Sequence, residues 1–196
     1  ADMPTDPVEW LIVDHSGAPH GVIEHGDLQD AARAAQGKRV IALVPSTNVL
    51  RTFVDIPIRN QAKLMQAIPF AMEDLLAGNI DDLHFAAGKR DESGRLPVAA
   101  VQRLKMEAWL EQISAVELDL LGVYTDADAL GDMPNTTILL VEEQRATIRS
   151  VNGHVASSDL VAIDALIDLW LTRHRRTDDE ELPSPINLLL YVTPDC

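Results

Sequence analysis

The sequence is poor in cysteine, in long apolar runs and, over its first part, in positive charge. Its single cysteine is the last residue, Cys196, so no disulfide can form within the chain, which favours a reducing compartment. No run of about 18 consecutive apolar residues occurs, so no membrane-spanning helix is expected within these residues. No Lys or Arg precedes Arg33, which makes the N-terminal part the most acidic region.

The overall charge limits the kinds of partner that the chain can bind. The sequence contains 16 basic and 31 acidic residues, a formal net charge of −15. This excess of negative charge argues against a nucleic acid and against electrostatic docking on an anionic membrane, and it favours a basic protein partner. At 46% hydrophobic residues, the 196-residue chain can bury a core as one compact domain or as two to three small lobes.

The strongest periodicity lies between residues 57 and 88 and predicts an amphipathic helix that begins after Asn60, a plausible N-cap. Pro69 predicts a kink or a break in this helix, and Phe70 lies off the apolar stripe. The stripe itself consists of Leu64, Ile68, Met72 and Leu75, widened by Met65, Ala71 and Leu76.

An acidic flank follows the apolar stripe and suggests a surface for a basic partner. The candidate partner-binding residues are Glu73, Asp74, Asp81 and Asp82, together with Met72 and Leu76. Charged side chains at the rim of an interface commonly steer association. The alternative is that the apolar residues only pack the core and that the carboxylates only face solvent.

Two similar halves around an inserted module are the predicted organisation. A pattern of hairpin, helix and strand occurs at both ends of the chain, and an α+β module interrupts the first half. The predicted fold class is therefore α/β, built from α+β lobes in an actin-like or ribonuclease-H-like architecture, although other α/β arrangements fit the same pattern. The predicted boundaries are residues 1–47 with 115–134 for the first lobe, 48–114 for the inserted module and 135–196 for the second lobe. Truncation of this second lobe is left open.

Patterns that would indicate an enzyme or a metal site are weak. His15, His20 and His25 are five residues apart, a spacing that alternates strand faces, so exposed hairpin histidines are favoured over a metal site. Adjacent carboxylates point apart on a helix or strand, so Glu142 and Glu143, like the acidic pairs named above, are better explained as solvated residues than as an acid/base dyad. No serine lies in a nucleophile elbow. We therefore expect no catalytic residues, no metal and no cofactor.

Three phrases carry a resemblance to a known family: LVPSTNVLRTFVDIP, AIPFAMEDLLAGNIDDLHFAAG and GRLPVAAVQRLKMEAWL, followed by INLL near the end. Together they resemble the cytoplasmic domain of the type II secretion system protein L family. The resemblance implies an actin-like domain on the cytoplasmic face of the bacterial inner membrane, followed in the full protein by one membrane-spanning helix and a periplasmic domain. It also implies recruitment of the secretion ATPase, protein E, association with protein M, and a homodimer.

The actin-like resemblance makes the phosphate-binding hairpins a test of function. Actin-like ATPases bind phosphates with Asp-Xaa-Gly turns, in which glycine lets the backbone approach the ligand. Here the first hairpin has Asp14 but places its glycine at Gly17, and the second has Glu142 and Glu143 with no glycine, so we expect repulsion of phosphate. The prediction is a degenerate nucleotide site in a non-enzymatic adaptor. The alternative is an actin-like nucleotide-binding assembly protein of the type IV pilus or cell-division kind.

Overall fold

The structure is a computed structural model that describes residues 7–76, 78–91, 93–131, 133–177 and 187–193. The strands are β1 (Val8–Trp10), β2 (Glu24–Gly26), β3 (Val40–Val44), β4 (Val49–Val54), β5 (Leu83–Ala87), β6 (Leu96–Gln102), β7 (Leu120–Thr125), β8 (Thr136–Val141), β9 (Arg145–Arg149), β10 (Val155–Asp159) and β11 (Asn187–Val192). The α-helices are α1 (Leu28–Ala34), α2 (Gln61–Met72), α3 (Arg103–Ser114) and α4 (Ile163–Thr177).

The chain divides into two compact units. The first comprises residues 1–43 and 103–124, and the second comprises residues 44–102 and 125–196. The predicted division into two lobes and an inserted module remains a prediction, and Cys196 lies outside the described residues. Within the described part of the chain, no helix combines the length and the apolar character needed to cross a bilayer.

The first unit contains a small hairpin, two helices and a two-stranded sheet. Strands β1 and β2 pair antiparallel, with Trp10 opposite Glu24, and the Trp10 indole donates a hydrogen bond to the Glu24 carboxylate at 3.1 Å. Helix α1 begins at a capping box in which Asp27 accepts from the Asp30 amide and the Asp30 carboxylate accepts from the Asp27 amide. Strands β3 and β7 form the second sheet of this unit.

The second unit begins with a three-stranded antiparallel sheet, ordered β4-β6-β5, that packs against α2. Alternate residues of β6 are buried, as a strand with one face on a core requires. The predicted N-cap is confirmed, because the Asn60 side chain accepts a hydrogen bond from the Lys63 amide at 3.0 Å. The core between sheet and helix contains Val54, Ile56, Leu64, Ile68, Met72, Leu96, Val98 and Ala100.

A four-stranded sheet ordered β10-β9-β8-β11 completes the second unit. Strands β8, β9 and β10 form an antiparallel meander, whereas β11 pairs parallel to β8 with Asn187 opposite Thr136. Helix α4 covers this sheet, and Leu166 on the helix packs with Leu139, Ala146 and Ile148 on the strands. This half of the second unit thus has its own apolar core.

The predicted break at Pro69 does not occur. Helix α2 continues through Pro69 to Met72, although proline supplies no amide hydrogen at that position, and a kink there stays a prediction. The chain then tightens into a 3-10 turn at Glu73–Leu75. Another 3-10 turn, at Leu160–Ala162, leads into α4.

Candidate partner-binding surface and hairpin turns

The predicted first nucleotide hairpin is a tight turn that binds its own carboxylate. Asp14 Oδ1 accepts hydrogen bonds from the Ser16 hydroxyl at 2.6 Å, the Ser16 amide at 2.8 Å and the Ala18 amide at 3.0 Å. Gly17 adopts φ 85°, a left-handed conformation that glycine takes without strain. The hydroxyl of Ser16, followed by the amides, lowers the pKa of Asp14 below its ordinary value. This carboxylate therefore serves to close the turn.

The same Asp-Xaa-Ser-Gly pattern recurs between β5 and β6. Asp91 Oδ1 accepts hydrogen bonds from the Ser93 hydroxyl at 2.7 Å and the Arg95 amide at 2.9 Å. Gly94 adopts φ 86°, as Gly17 does in the first turn. In both turns the aspartate accepts from the serine hydroxyl and from the amide four residues after itself, so the pattern around Asp14 is the signature of a hairpin turn with a carboxylate cap.

The second predicted nucleotide hairpin, between β8 and β9, is dominated by Arg145. Its guanidinium donates to the Glu142 carboxylate at 2.8 and 2.9 Å and to Asp126 Oδ2 at 2.5 Å. Partial burial alone would lower the pKa of Arg145, but the hydrogen bonds and charges of Glu142 and Asp126 outweigh burial and raise that pKa. Arg145 therefore offsets part of the negative charge of this hairpin, and the predicted repulsion of phosphate by Glu142 and Glu143 stays a prediction.

A hydroxyl network extends the ion pairs of Arg145 into a polar cluster. Asp126 Oδ1 accepts from the Ser46 amide at 3.0 Å, and the Ser46 hydroxyl lies 2.6 Å from that of Ser157. Ser157 in turn lies 3.0 Å from the Thr147 hydroxyl. These polar groups therefore form hydrogen bonds with one another. Through these bonds, the cluster joins the segments that follow β3 and β7 to strands β9 and β10.

The apolar stripe predicted for α2 is buried up to Met72, the last residue of the helix. Leu64, Ile68 and Met72 recur at intervals of four and face the core, and the latter two have no exposed surface. Met72, predicted to contact a partner, is thus a core residue in this structure. This correction follows from its position on the same helix face as Leu64 and Ile68.

The predicted acidic flank lies at the surface on two short 3-10 turns. Glu73 and Asp74 are exposed on the turn that ends α2, and Asp81 and Asp82 are exposed on the turn that precedes β5. Leu76, between these turns, is half-buried and packs against the core of α2 and its sheet. The structure therefore leaves the four carboxylates accessible, and their role in binding remains a prediction.

Two exposed apolar side chains accompany the carboxylates. The Phe70 side chain is 70% exposed, as its position off the stripe indicates, and Leu75 is 55% exposed. Sequence reasoning placed Leu75 on the buried stripe because it assumed that the helix continued beyond Met72. In the structure α2 ends at Met72, and Leu75 lies on the 3-10 turn that follows it.

The N-terminal histidines do not converge. His15, His20 and His25 are exposed, and His25 Nδ1 lies 3.1 Å from the carboxylate of Glu9. Among the described residues, no group of three or more histidine, cysteine, aspartate or glutamate side chains is arranged to hold a metal ion.

Comparison with solved structures identifies the fold class. The chain is similar to the cytoplasmic domain of EpsL, an inner-membrane component of the type II secretion system of Vibrio cholerae, with TM-score 0.75, 18% identity, and coverage of 96% of this chain and 78% of the other. It is also similar to a chain of the PilM-PilN type IV pilus biogenesis complex, with TM-score 0.55, 12% identity, and coverage of 90% and 64%. These neighbours confirm the predicted mixed α/β, actin-like fold class.

Comparison of sequences identifies the family. The model of type II secretion system protein L matches residues 3–174. The chain therefore belongs to the type II secretion system protein L family, as the resemblance predicted. It is 35% identical over 130 residues to protein L of Dickeya chrysanthemi, which covers 64% of this chain and 32% of that protein. Protein L of Vibrio cholerae is 26% identical over 136 residues, with coverage of 66% and 31%. The chain thus spans about a third of the length of these relatives.

Proposed function

We propose that this chain is a non-enzymatic adaptor that recruits the secretion ATPase, protein E, to the type II secretion platform and couples it to the membrane complex. The match to the protein L family over residues 3–174 carries this proposal. Like the EpsL domain that it resembles, the chain would act at the cytoplasmic face of the inner membrane, held there by a membrane-spanning helix elsewhere in the full protein. Protein M and a second copy of the chain are further proposed partners.

The two hairpin turns support an adaptor without nucleotide chemistry. Asp14 caps its own turn through three hydrogen bonds. At the other hairpin, Arg145 forms ion pairs with Glu142 and Asp126, so these three side chains bind one another. In an actin-like nucleotide site, the corresponding hairpins must instead leave space and charge for phosphates and a metal ion.

The proposed binding surface comprises the four exposed carboxylates Glu73, Asp74, Asp81 and Asp82, with Leu76 beneath them. Exposed carboxylates raise the rate at which a basic partner associates, and this contribution decreases with added salt. Calorimetric titration of the chain with the cognate secretion ATPase tests recruitment directly. Saturable binding in moderate salt is expected, and no heat of binding at high protein concentration would contradict recruitment by this chain.

The alternative function, nucleotide-dependent assembly, is favoured only by the fold shared with the type IV pilus complex. A titration with ATP and magnesium distinguishes it from the adaptor. The adaptor predicts no saturable nucleotide binding, whereas tight, magnesium-dependent binding of ATP would support the alternative.

A further inference from the structure

The turn between β9 and β10 contains the one Asn-Gly pair of the sequence, Asn152 followed by Gly153. Asn152 is exposed, and Gly153 adopts φ 79°. The Ser150 hydroxyl donates a hydrogen bond to Asn152 Oδ1 at 2.5 Å, and the His154 amide nitrogen lies 3.5 Å from the same oxygen. The side-chain amide of Asn152 is thus held at its oxygen by donors at a solvent-facing position.

This turn has the same backbone hydrogen bonds as the two carboxylate-capped turns. In each of the three turns, the first residue donates its amide to the carbonyl of the fifth, and the glycine at the fourth position donates its amide to the carbonyl of the first. The order of the side chains is reversed, however. The capped turns have aspartate first and serine third, whereas the β9–β10 turn has Ser150 first and Asn152 third. Of the three turns, this one alone places a side-chain amide directly before the glycine nitrogen.

A side-chain amide in this position can react with the backbone nitrogen that follows it. The Gly153 nitrogen loses its proton and attacks Cγ of Asn152, so a nitrogen–carbon bond forms and negative charge develops on Oδ1. The bond from Cγ to Nδ2 then breaks, ammonia leaves, and a five-membered succinimide ring remains. Water adds to one of the two ring carbonyls and opens the ring. Breaking the new bond to Cγ gives aspartate, and breaking the main-chain bond gives isoaspartate.

Two features of the turn favour this reaction. Glycine has no Cβ, so no side chain hinders the approach of the Gly153 nitrogen to Cγ. The Ser150 hydroxyl donates to the oxygen on which the negative charge develops, as the donors of an oxyanion hole do. One feature opposes the reaction, because the Gly153 amide donates to the Ser150 carbonyl at 2.9 Å and must first be released. Hydrogen bonds in exposed turns open at low cost, so the reaction remains accessible in the folded chain.

We propose that Asn152 is a self-modification site, which converts to aspartate and isoaspartate with water as the only co-reactant. The site lies at a contact within the second unit. Arg95 Nη2 lies 3.5 Å from the Asn152 carbonyl oxygen, and Gly153 and His154 lie against the Phe53 ring. Isoaspartate adds one carbon atom to the main chain here and displaces the residues that contact Phe53. Aspartate leaves the main chain unchanged and adds a negative charge near Arg95.

The test follows the loss of ammonia from the 196-residue chain during incubation at mildly alkaline pH. Mass spectrometry of tryptic peptides, with chromatographic separation of the aspartate and isoaspartate forms, locates each conversion. Asn60 and Asn79 are internal controls, since both are exposed and their Oδ1 atoms accept a backbone amide, but glutamine and isoleucine follow them. Asn152 is expected to convert about tenfold or more faster than either control. Equal rates at the three positions, or no conversion at Asn152, would overturn the inference.

The contribution of Ser150 is tested in folded and in unfolded protein. Ser150→Ala is expected to slow conversion of the folded chain about threefold or more, because the variant lacks the hydroxyl that donates to Oδ1. In urea, where the turn is absent, the wild-type chain and Ser150→Ala are expected to react at the same rate. Faster conversion of the folded variant would show that Ser150 only keeps the turn closed and would overturn its assignment as a donor.

Thermal unfolding tests the effect on the contact with Phe53. Chain enriched in isoaspartate at position 152 is expected to unfold at a lower temperature than freshly prepared chain. Asn152→Asp is the matched control, since it carries the new charge without the extra main-chain atom, and it should unfold at the wild-type temperature or above. Equal unfolding of the aged and fresh chains would overturn this effect of the modification. These measurements do not involve the secretion ATPase, so their outcome is independent of the proposed function.

Discussion

Arg145 and Asp126 form an ion pair, 2.5 Å between Nη1 and Oδ2, that joins the turn after β7 to the start of β9. Both side chains are mostly buried, with exposed fractions of 24% and 27%. Asp126 also accepts a hydrogen bond from the Ser46 amide. One carboxylate therefore binds both the start of β9, through Arg145, and the turn after β3, through Ser46. The pair is therefore expected to matter for the stability of the second unit.

Replacing Arg145 tests this role. We expect Arg145→Met to lower the free energy of unfolding by about 1–3 kcal/mol, because it leaves two partly buried carboxylates without their donor. Urea denaturation followed by circular dichroism measures the change. The control is Arg33→Met, which breaks an exposed pair with Asp30 and should cost less than about 1 kcal/mol. Equal effects of the two substitutions would contradict the prediction.

The carboxylate-capped turns predict a specific response to pH. The Ser93 hydroxyl is the main cause that lowers the pKa of Asp91, against the opposing effect of burial, with Arg95 adding to the decrease. We therefore expect Ser93→Ala to raise the pKa of Asp91 toward its ordinary value in an NMR pH titration. Asp14, capped by Ser16, is the internal control and should titrate unchanged.

The sign of the stability change follows from the same shift. A carboxyl whose folded-state pKa is depressed contributes stability above its unfolded pKa of about 3.9 and loses that contribution as pH falls through the folded value. The wild-type chain should therefore lose part of its stability on acidification below about pH 4, and Ser93→Ala should lose less. A loss that is equal in both proteins would show that the Ser93 hydrogen bond does not stabilise the folded chain.

Gly153 lies at the tip of the β9–β10 hairpin, where it allows a close contact with Phe53. Its φ is 79°, and a Cβ added there would lie 3.4 Å from Cζ of Phe53. The Phe53 ring also packs edge-on to His154, with centroids 4.9 Å apart, and beneath the Arg95 guanidinium at 4.5 Å. A side chain at position 153 would therefore contact the Phe53 ring, which already packs against His154 and Arg95.

We expect Gly153→Ala to lower the free energy of unfolding by about 1–2 kcal/mol through strain at positive φ, because a Cβ 3.4 Å from Phe53 makes only an ordinary van der Waals contact. Gly94→Ala is a close control, because Gly94 has φ 86° in a similar turn with open space at the added Cβ. Urea denaturation of both variants is expected to give losses that agree within about 0.5 kcal/mol. A much larger loss for Gly153→Ala than for Gly94→Ala would show that the added methyl group displaces Phe53 and would contradict the prediction.

Helix α2 offers a direct test of its corrected burial pattern. Met72→Ala is expected to lower the free energy of unfolding by about 2–5 kcal/mol, because Met72 is fully buried and its truncation leaves a cavity. Leu75→Ala should cost less than about 1 kcal/mol, since its side chain is mostly exposed. Thermal unfolding of the two variants gives the comparison, and similarly large losses at both positions would support the stripe predicted from periodicity.

Local sequence signals predicted much of the fold because they depend on neighbouring residues. Asn60 caps α2 through an amide three positions away, and Asp27 caps α1 in the same way. Each of these features is determined within a few residues of the chain.

The polar cluster could not be predicted, because it joins residues that are distant in sequence. Ser46 and Ser157 are 111 positions apart, and Arg145 finds Asp126 in a different loop. Leu75 was misplaced for a different reason, since its exposure depends on where α2 changes to a 3-10 turn. Periodicity reports the face of a helix but does not report its last residue.

Pro69 stands directly before Phe70 and brings no amide hydrogen to α2, so the Met65 carbonyl, four positions earlier, receives no helical hydrogen bond from it. The final turn of α2 therefore has one backbone hydrogen bond fewer than an uninterrupted helix, and the burial of Ile68 and Met72 contributes to holding it. Apolar packing weakens on cooling. The order of this turn is thus expected to decrease at low temperature.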